Sequence, residues 1–144
     1  MILNSIEKAL MNNPVRALAQ RRYEAPLMLR LGGRIEGLKV LEIGCGRGVG
    51  TEIIFEQFGA GEVHAFDLDP QMIGLAQRRL AKYPPARLRL FVGDAETIDA
   101  PNAAFDAVFD FGIIHHIPVW QNAIKEIARV LKPNGRFYFL ALSA

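Results

Sequence analysis

The chain is poor in several things, and each shortage excludes something. It has one cysteine, Cys45, among 144 residues, which rules out an internal disulfide and a cysteine-built zinc site. A lone thiol fits a reducing compartment. Charge of one sign is scarce as well: 17 Lys and Arg face 15 Asp and Glu, a net of +2. Such a balance by itself says little about nucleic acid, and it disfavours such a partner only together with the motif after the fourth predicted strand. No apolar run approaches the ~18 residues that span a bilayer. The N-terminus lacks the basic start and apolar core of a signal peptide, and Glu7 interrupts it early. Cytoplasmic residence is therefore expected. Repeats and low-complexity tracts are absent too.

What is present describes an ordinary soluble globular protein, with 51% hydrophobic and 22% charged residues. One domain of this length buries roughly two thirds of its unfolded surface. The charge is uneven. Residues 1–39 carry Lys8, Arg16, Arg21, Arg22, Arg30, Arg34 and Lys39 against Glu7, Glu24 and Glu36, so this part holds +4 and the remainder −2. A solvated basic helix face is the simpler reading, and an anionic partner or membrane surface the other.

The stretch from Val40 to Gly50, Val-Leu-Glu-Ile-Gly-Cys-Gly-Arg-Gly-Val-Gly, organises the rest. It opens as an apolar run suited to a buried parallel strand, breaks into glycines and passes into a helical pattern near Thr51. Open α/β sheets hold nucleotide-like ligands at such turns, outside the carboxyl ends of their strands. The glycines fall at 44, 46, 48 and 50. A dinucleotide fingerprint needs its third glycine at position 49, which is Val49, and this departure argues against NAD.

Around that turn the spacing predicts helices over residues 4–31, with Asn4 and Glu7 as a capping box and Asn13-Pro14 as a second start. Pro26 should kink or restart this run and Gly32-Gly33 end it. Strands are expected over 38–43, 63–66, 87–92, 105–109 and 136–142, the third near a sheet edge. Helices are expected over 51–58, from Asp69-Pro70 to about Lys82, and over 119–131, the last stopped by Pro133-Asn134-Gly135. Alternating strands and helices imply an α/β fold, a doubly wound, mostly parallel sheet with helices on both faces. Residues 1–37 form a helical segment packing on a ligand-binding domain of residues 38–144.

Two carboxylates stand out beside the glycine turn. Asp67 ends the second strand some twenty residues on, where an acid can accept hydrogen bonds from both hydroxyls of a ribose. Asp69 serves as the cap of the following helix, which leaves Asp67 for a ligand. In Gly93-Asp94-Ala95, after the third strand, Asp94 can accept from an adenine amine.

Together Val40–Gly50, Phe66–Ile73, Val92–Ala95, Phe105–Val108 and Leu131–Arg136 resemble the class I S-adenosylmethionine-dependent methyltransferases, in particular the small-molecule branch that includes quinone methyltransferases. The resemblance implies a Rossmann-like methyltransferase fold with S-adenosylmethionine as cofactor and S-adenosylhomocysteine as product. By position it assigns Glu42 to the methionine amino group and Gly44, Cys45 and Gly46 to the methionine side. It assigns Asp67 to the ribose, Leu68 and Met72 to the adenine face, and Asp94 and Ala95 to the adenine edge. Asp110 and Phe111 would sit near the methionine end and the methyl group. Family members usually continue past the fifth strand into a helix and an antiparallel strand pair. Here that pair is expected to be lacking, leaving an apolar edge for a second copy or partner chain to cover.

The implied activity is direct, in-line methyl transfer to a small-molecule acceptor, and the competing class is a non-catalytic cofactor-binding or interaction module. Methyl transfer from a sulfonium needs no enzyme nucleophile, so Cys45 is read as a small turn residue. His115-His116 follows the fourth strand, where a histidine can act as general base, although packing or hydrogen bonding is the favoured role. No third ligand type clusters with the pair, so no metal site is expected. Asp110-Phe-Gly-Ile113 lacks the acid-Pro-Pro-aromatic tetrad of enzymes that methylate nucleic-acid amines. A lipid or quinone acceptor suits the basic, partly apolar N-terminus.

Overall fold

The computed structural model describes residues 5–6 and 13–140. The Asn4–Glu7 capping box and the expected strand end at Leu142 lie outside these residues. Five strands form one sheet in the order β3-β2-β1-β4-β5, every neighbouring pair parallel. They are β1 (Lys39–Ile43), β2 (Glu62–Asp67), β3 (Leu88–Val92), β4 (Phe105–Asp110) and β5 (Leu131–Phe139). The helices are α1 (Pro14–Ala19), α2 (Ala25–Gly32), α3 (Val49–Glu56), α4 (Pro70–Arg79) and α5 (Trp120–Val130). No helix among the described residues is long and apolar enough to cross a membrane.

Successive side chains of a strand point to opposite faces, so a sheet covered on both sides needs apolar residues at nearly every position. β1 has them. Val40 joins the core with Ile53 and Ile54 of α3, Ile73 of α4 and Met28 of α2. Leu41 and Ile43 join the opposite core with Ala123, Ile127 and Val130 of α5. Helices therefore cover both faces, and the central strand places Glu42 on the α3 side. β3, whose residues are partly exposed along most of its length, occupies one edge as its charge alternation predicts.

Three local outcomes refine the sequence reading. α3 starts at Val49 rather than Thr51 because Gly48 takes a left-handed φ of 95° and turns the chain into the helix early. Pro26 restarts the N-terminal run rather than kinking it. The chain widens into a π-helical turn over Gln20–Glu24, where Ala25 N–H bonds to Gln20 C=O, and Pro26 enters α2 at its first turn. The Pro133-Asn134-Gly135 stop is a bulge within β5 rather than a loop before it. Leu131 pairs with Phe105, and the register then shifts so that Arg136 pairs with Ala107. Asn134, at φ 66°, supplies the left-handed residue that this bulge needs.

The N-terminal helices pack on the sheet. Tyr138 of β5 donates from its hydroxyl to Gly32 and Gly33 carbonyls (2.9 and 2.6 Å), and Arg136 Nη1 donates to Gly32 and Arg34 carbonyls. Tyr138 stacks on Phe109 with centroids 4.3 Å apart, and both meet Phe58 edge-on.

Candidate functional site

The carboxyl ends of β1, β2, β3 and β4 open into one cleft. Its floor is the turn after β1. Gly44, Gly46 and Gly48 all have positive φ, at 66°, 53° and 95°. A Cβ on Gly44 would also lie 2.7 Å from the Ile113 side chain. The turn is held by Cys45 N–H to Phe66 C=O (3.0 Å), Gly48 N–H to Cys45 C=O (3.0 Å) and Gly46 N–H to Asp67 Oδ2 (2.9 Å).

Glu42 lies beneath this turn and is only 2% exposed. Thr51, in the first turn of α3, donates to its Oε1 at 2.5 Å. Burial pushes the Glu42 carboxyl up to about 8; the Thr51 bond opposes this, and the carboxylates of Asp67 and Asp110 add to it. Gly50 makes room for this group, since a Cβ there would collide with Glu42 Oε2 and lie 2.7 Å from Phe111 Cδ2.

Asp67 is committed on both oxygens, to Gly46 N–H through Oδ2 and to Asp69 N–H through Oδ1 (2.9 Å each). A carboxylate oxygen accepts more than one bond, so the group braces the turn and keeps acceptor capacity for the cleft. Burial raises its pKa, and the two backbone bonds counter that. Asp69 caps α4 by accepting from Gln71 N–H at 2.9 Å, with Pro70 as the first helical residue.

Of the residues singled out from sequence, Glu42, Gly44, Cys45 and Gly46 line the β1 end of the cleft. Asp67, Leu68 and Met72 line the β2 end, and Asp94 and Ala95 the β3 end. Phe111 lines the side near β4. Asp110 stands apart from these. It is fully buried and does not line the cleft. Its Oδ1 accepts from Gly112 and Ile113 N–H (3.0 and 2.7 Å) and its Oδ2 from Ile114 N–H (3.2 Å). The carboxylate ties down the loop that brings Phe111 and Ile113 to the cleft, so it shapes the wall from behind. Burial lifts its pKa to about 6 against these three bonds.

Cys45 is buried, and its thiol is pushed well above its usual value by burial and by the Glu42 and Asp67 carboxylates. A thiol held protonated is no nucleophile. His115 and His116 sit on a short 3₁₀ turn with ring centroids 4.0 Å apart, and neither lines the cleft. The neighbouring Ile113 and Ile117 do.

Sequence reasoning missed Gln20, Arg47 and Ile117 as lining residues. Arg47 was legible, since it stands inside the glycine turn. Gln20 was not, because nothing local marks it.

A family model described as a methyltransferase domain matches residues 40–135. The chain belongs to the class I S-adenosylmethionine-dependent methyltransferases. The cofactor of this family is S-adenosylmethionine. Among curated relatives, the fatty-acid O-methyltransferase of Mycolicibacterium smegmatis is 34% identical over 105 residues, covering 73% of this chain and 37% of that protein. The demethylmenaquinone methyltransferase of a Geobacillus species is 28% identical over 135 residues, covering 92% of this chain and 57% of its own length. The chain thus spans between about two fifths and three fifths of these relatives. The crystal structure of the Bacillus protein YcgJ superposes with a TM-score of 0.74 at 28% identity, covering 85% of this chain and 51% of that one.

Proposed function

We propose that this methyltransferase-family protein works in the cytoplasm, binds S-adenosylmethionine in the cleft and transfers its methyl group in line to a small-molecule acceptor. One observation carries the reading: a row of three acids across adjacent strands, Asp94 past β3, Asp67 ending β2 and Glu42 on β1, all lining one cleft. S-adenosylmethionine offers hydrogen-bond donors at three matching points, the adenine amine, the ribose diol and the methionine ammonium. The positive-φ glycines carry no side chain at three positions of the cleft floor, which lets a ligand approach the backbone closely.

When bound, the cofactor supplies an activated methyl: the S–C bond breaks with its electron pair left on sulfur while the acceptor bonds to carbon. The protein's part is alignment and exclusion of water, which can be worth about 7–11 kcal/mol of the barrier. Phe111, Ile113 and Ile117 form the apolar wall suited to that. An acceptor of lipid or quinone type agrees with the names of the relatives, and with the apolar surface that Val15, Leu18 and Leu27 expose on the N-terminal helices.

Calorimetric titration tests the core of this reading. S-adenosylmethionine and S-adenosylhomocysteine are expected to bind and NAD not to bind. A folded chain that binds neither sulfur compound would put the non-catalytic interaction module first.

The reading extends to the sheet edge. The outer edge of β5 is unpaired among the described residues. A groove beside it is lined by Met28, Leu31, Phe137 and Phe139, with Leu31 81% and Phe139 49% exposed. A second copy or a partner chain is expected to cover it. Sedimentation should show self-association or aggregation of the isolated chain, and a strict, aggregation-free monomer counts against this.

A further inference from the structure

Gln20 is the first residue of the π-helical turn, far in sequence from every motif of the cleft, yet it lines the cleft and is 9% exposed. Among the described residues its side-chain amide has no hydrogen-bond partner, whereas its neighbours are firmly tied. Arg16 donates to the Phe111 carbonyl at 3.2 Å and pairs with Glu24. Arg21 pairs with Glu52 and Glu56 of α3, both at 3.3 Å, and its carbonyl accepts from Gln57. The segment is thus strapped across the cleft from the end of β4 to α3, with Gln20 between the two straps. The side chain lines the cleft, and its primary amide offers two donors and one acceptor to whatever binds there.

Which part of the ligand follows from neighbours. Gln20 stands four residues after Arg16, hence on the same helix face, and Arg16 reaches Phe111. Phe111 and Glu42 both crowd the same point above Gly50. Gln20 therefore belongs to the Glu42 side of the cleft, away from Asp94. On the proposed function, on which this inference rests, that side holds the methionine end, with its ammonium at Glu42. The carboxylate on the same carbon then needs donors. Three backbone N–H groups of the turn, those of Cys45, Gly46 and Gly48, are already spent within the protein.

We infer that Gln20 closes over the methionine end of the bound cofactor and donates from its side-chain amide to the cofactor's carboxylate. Gln20 would then be a cofactor-binding residue supplied by the N-terminal helices, outside the family's glycine turn.

Two ligands separate this from a merely structural role. S-adenosylhomocysteine carries the amino-acid end, and methylthioadenosine keeps the adenine, ribose and thioether without it. Calorimetry on Gln20→Ala should show S-adenosylhomocysteine weakened roughly tenfold, the loss of one charge-assisted hydrogen bond, with methylthioadenosine unchanged. Gln20→Met, close in volume, should give the same selective loss if the smaller side chain disturbs folding. Gln20→Glu should be worse than either, since it sets like charges together. Equal losses on both ligands, or S-adenosylhomocysteine binding within twofold of wild type, overturn the inference. A selective loss in Arg47→Ala with none in Gln20→Ala assigns the carboxylate to Arg47 and overturns it too. Wild-type protein that binds neither ligand removes the cofactor reading and this inference together, whereas binding of both with the variant silent removes only the role of Gln20.

Discussion

Replacing Asp67 by alanine is expected to weaken S-adenosylhomocysteine binding by at least about a hundredfold. Hydrogen bonds to a charged group are each worth roughly 1.5–3 kcal/mol, and a ribose diol on this carboxylate would lose two of them. The structure adds a second cost. Asp67 also accepts from Gly46 N–H and Asp69 N–H, so alanine leaves the glycine turn and the entry to α4 without their common brace. Asp67→Asn helps to divide the two effects, because its carbonyl oxygen can retain one of these bonds while the charge is gone. Affinity should fall for both variants, and melting temperature more for alanine than for asparagine. An alanine variant whose affinity stays within fivefold of wild type would show that the ribose is held elsewhere.

The second large effect concerns Glu42 and pH. Burial first, then Asp67 and Asp110, hold its carboxyl near 8 in the folded chain despite the Thr51 bond, against an ordinary value of 4.5. The folded state therefore binds this proton more tightly than the unfolded state. The resulting stability is fully present below about pH 4.5 and is lost as pH rises through 8. At about 1.4 kcal/mol for each unit of difference, the loss amounts to several kcal/mol. Asp110, lifted to about 6, adds a smaller loss of the same sign between roughly pH 4 and 6. Glu42→Gln cannot ionise, so its melting temperature should overtake that of wild type at pH 8 to 9.

Binding should move in the opposite direction. An ammonium beside Glu42 favours the ionised form, so cofactor binding by wild type should release a proton near neutral pH and strengthen from pH 6 to 8. Glu42→Gln should bind more weakly, without that pH dependence. Melting curves across pH and binding heats in buffers of different ionisation enthalpy read both effects. Wild type and variant losing stability in parallel between pH 6 and 9 would mean that Glu42 is not the titrating group.

Much of the architecture was legible because its causes are local. An apolar run ending in glycines can hardly be anything but a buried strand entering a tight turn. Asp69-Pro70 starts a helix because a cap and a preset φ act over three residues. β3 reads as an edge strand because Arg87 and Arg89 alternate with apolar residues before the run turns fully apolar. The helix boundaries were less legible. Gly48 extends α3 backwards through a left-handed φ, and the Asn134 bulge lets β5 pair before and after the proline. Both depend on which neighbour the backbone meets.

Sequence by itself determined the order of strands and helices, the glycine-rich turn at the end of β1, and the acids at the ends of β1, β2 and β3. Each follows from short-range pattern and from the fact that parallel strands point their carboxyl ends the same way. Tertiary structure decided what those acids can do. It buried Glu42 under α3, where its charge is costly, and shared Asp67 between backbone and cleft. It spent Asp110 on three backbone N–H groups of the loop after β4. It also brought Gln20 from the N-terminal helices to the mouth of the cleft. The reason is common to all four: ionisation, hydrogen-bond satisfaction and access are set by atoms within a few ångströms in space, and here those atoms come from segments as far as 95 residues apart in the chain, as Arg16 and Phe111 show.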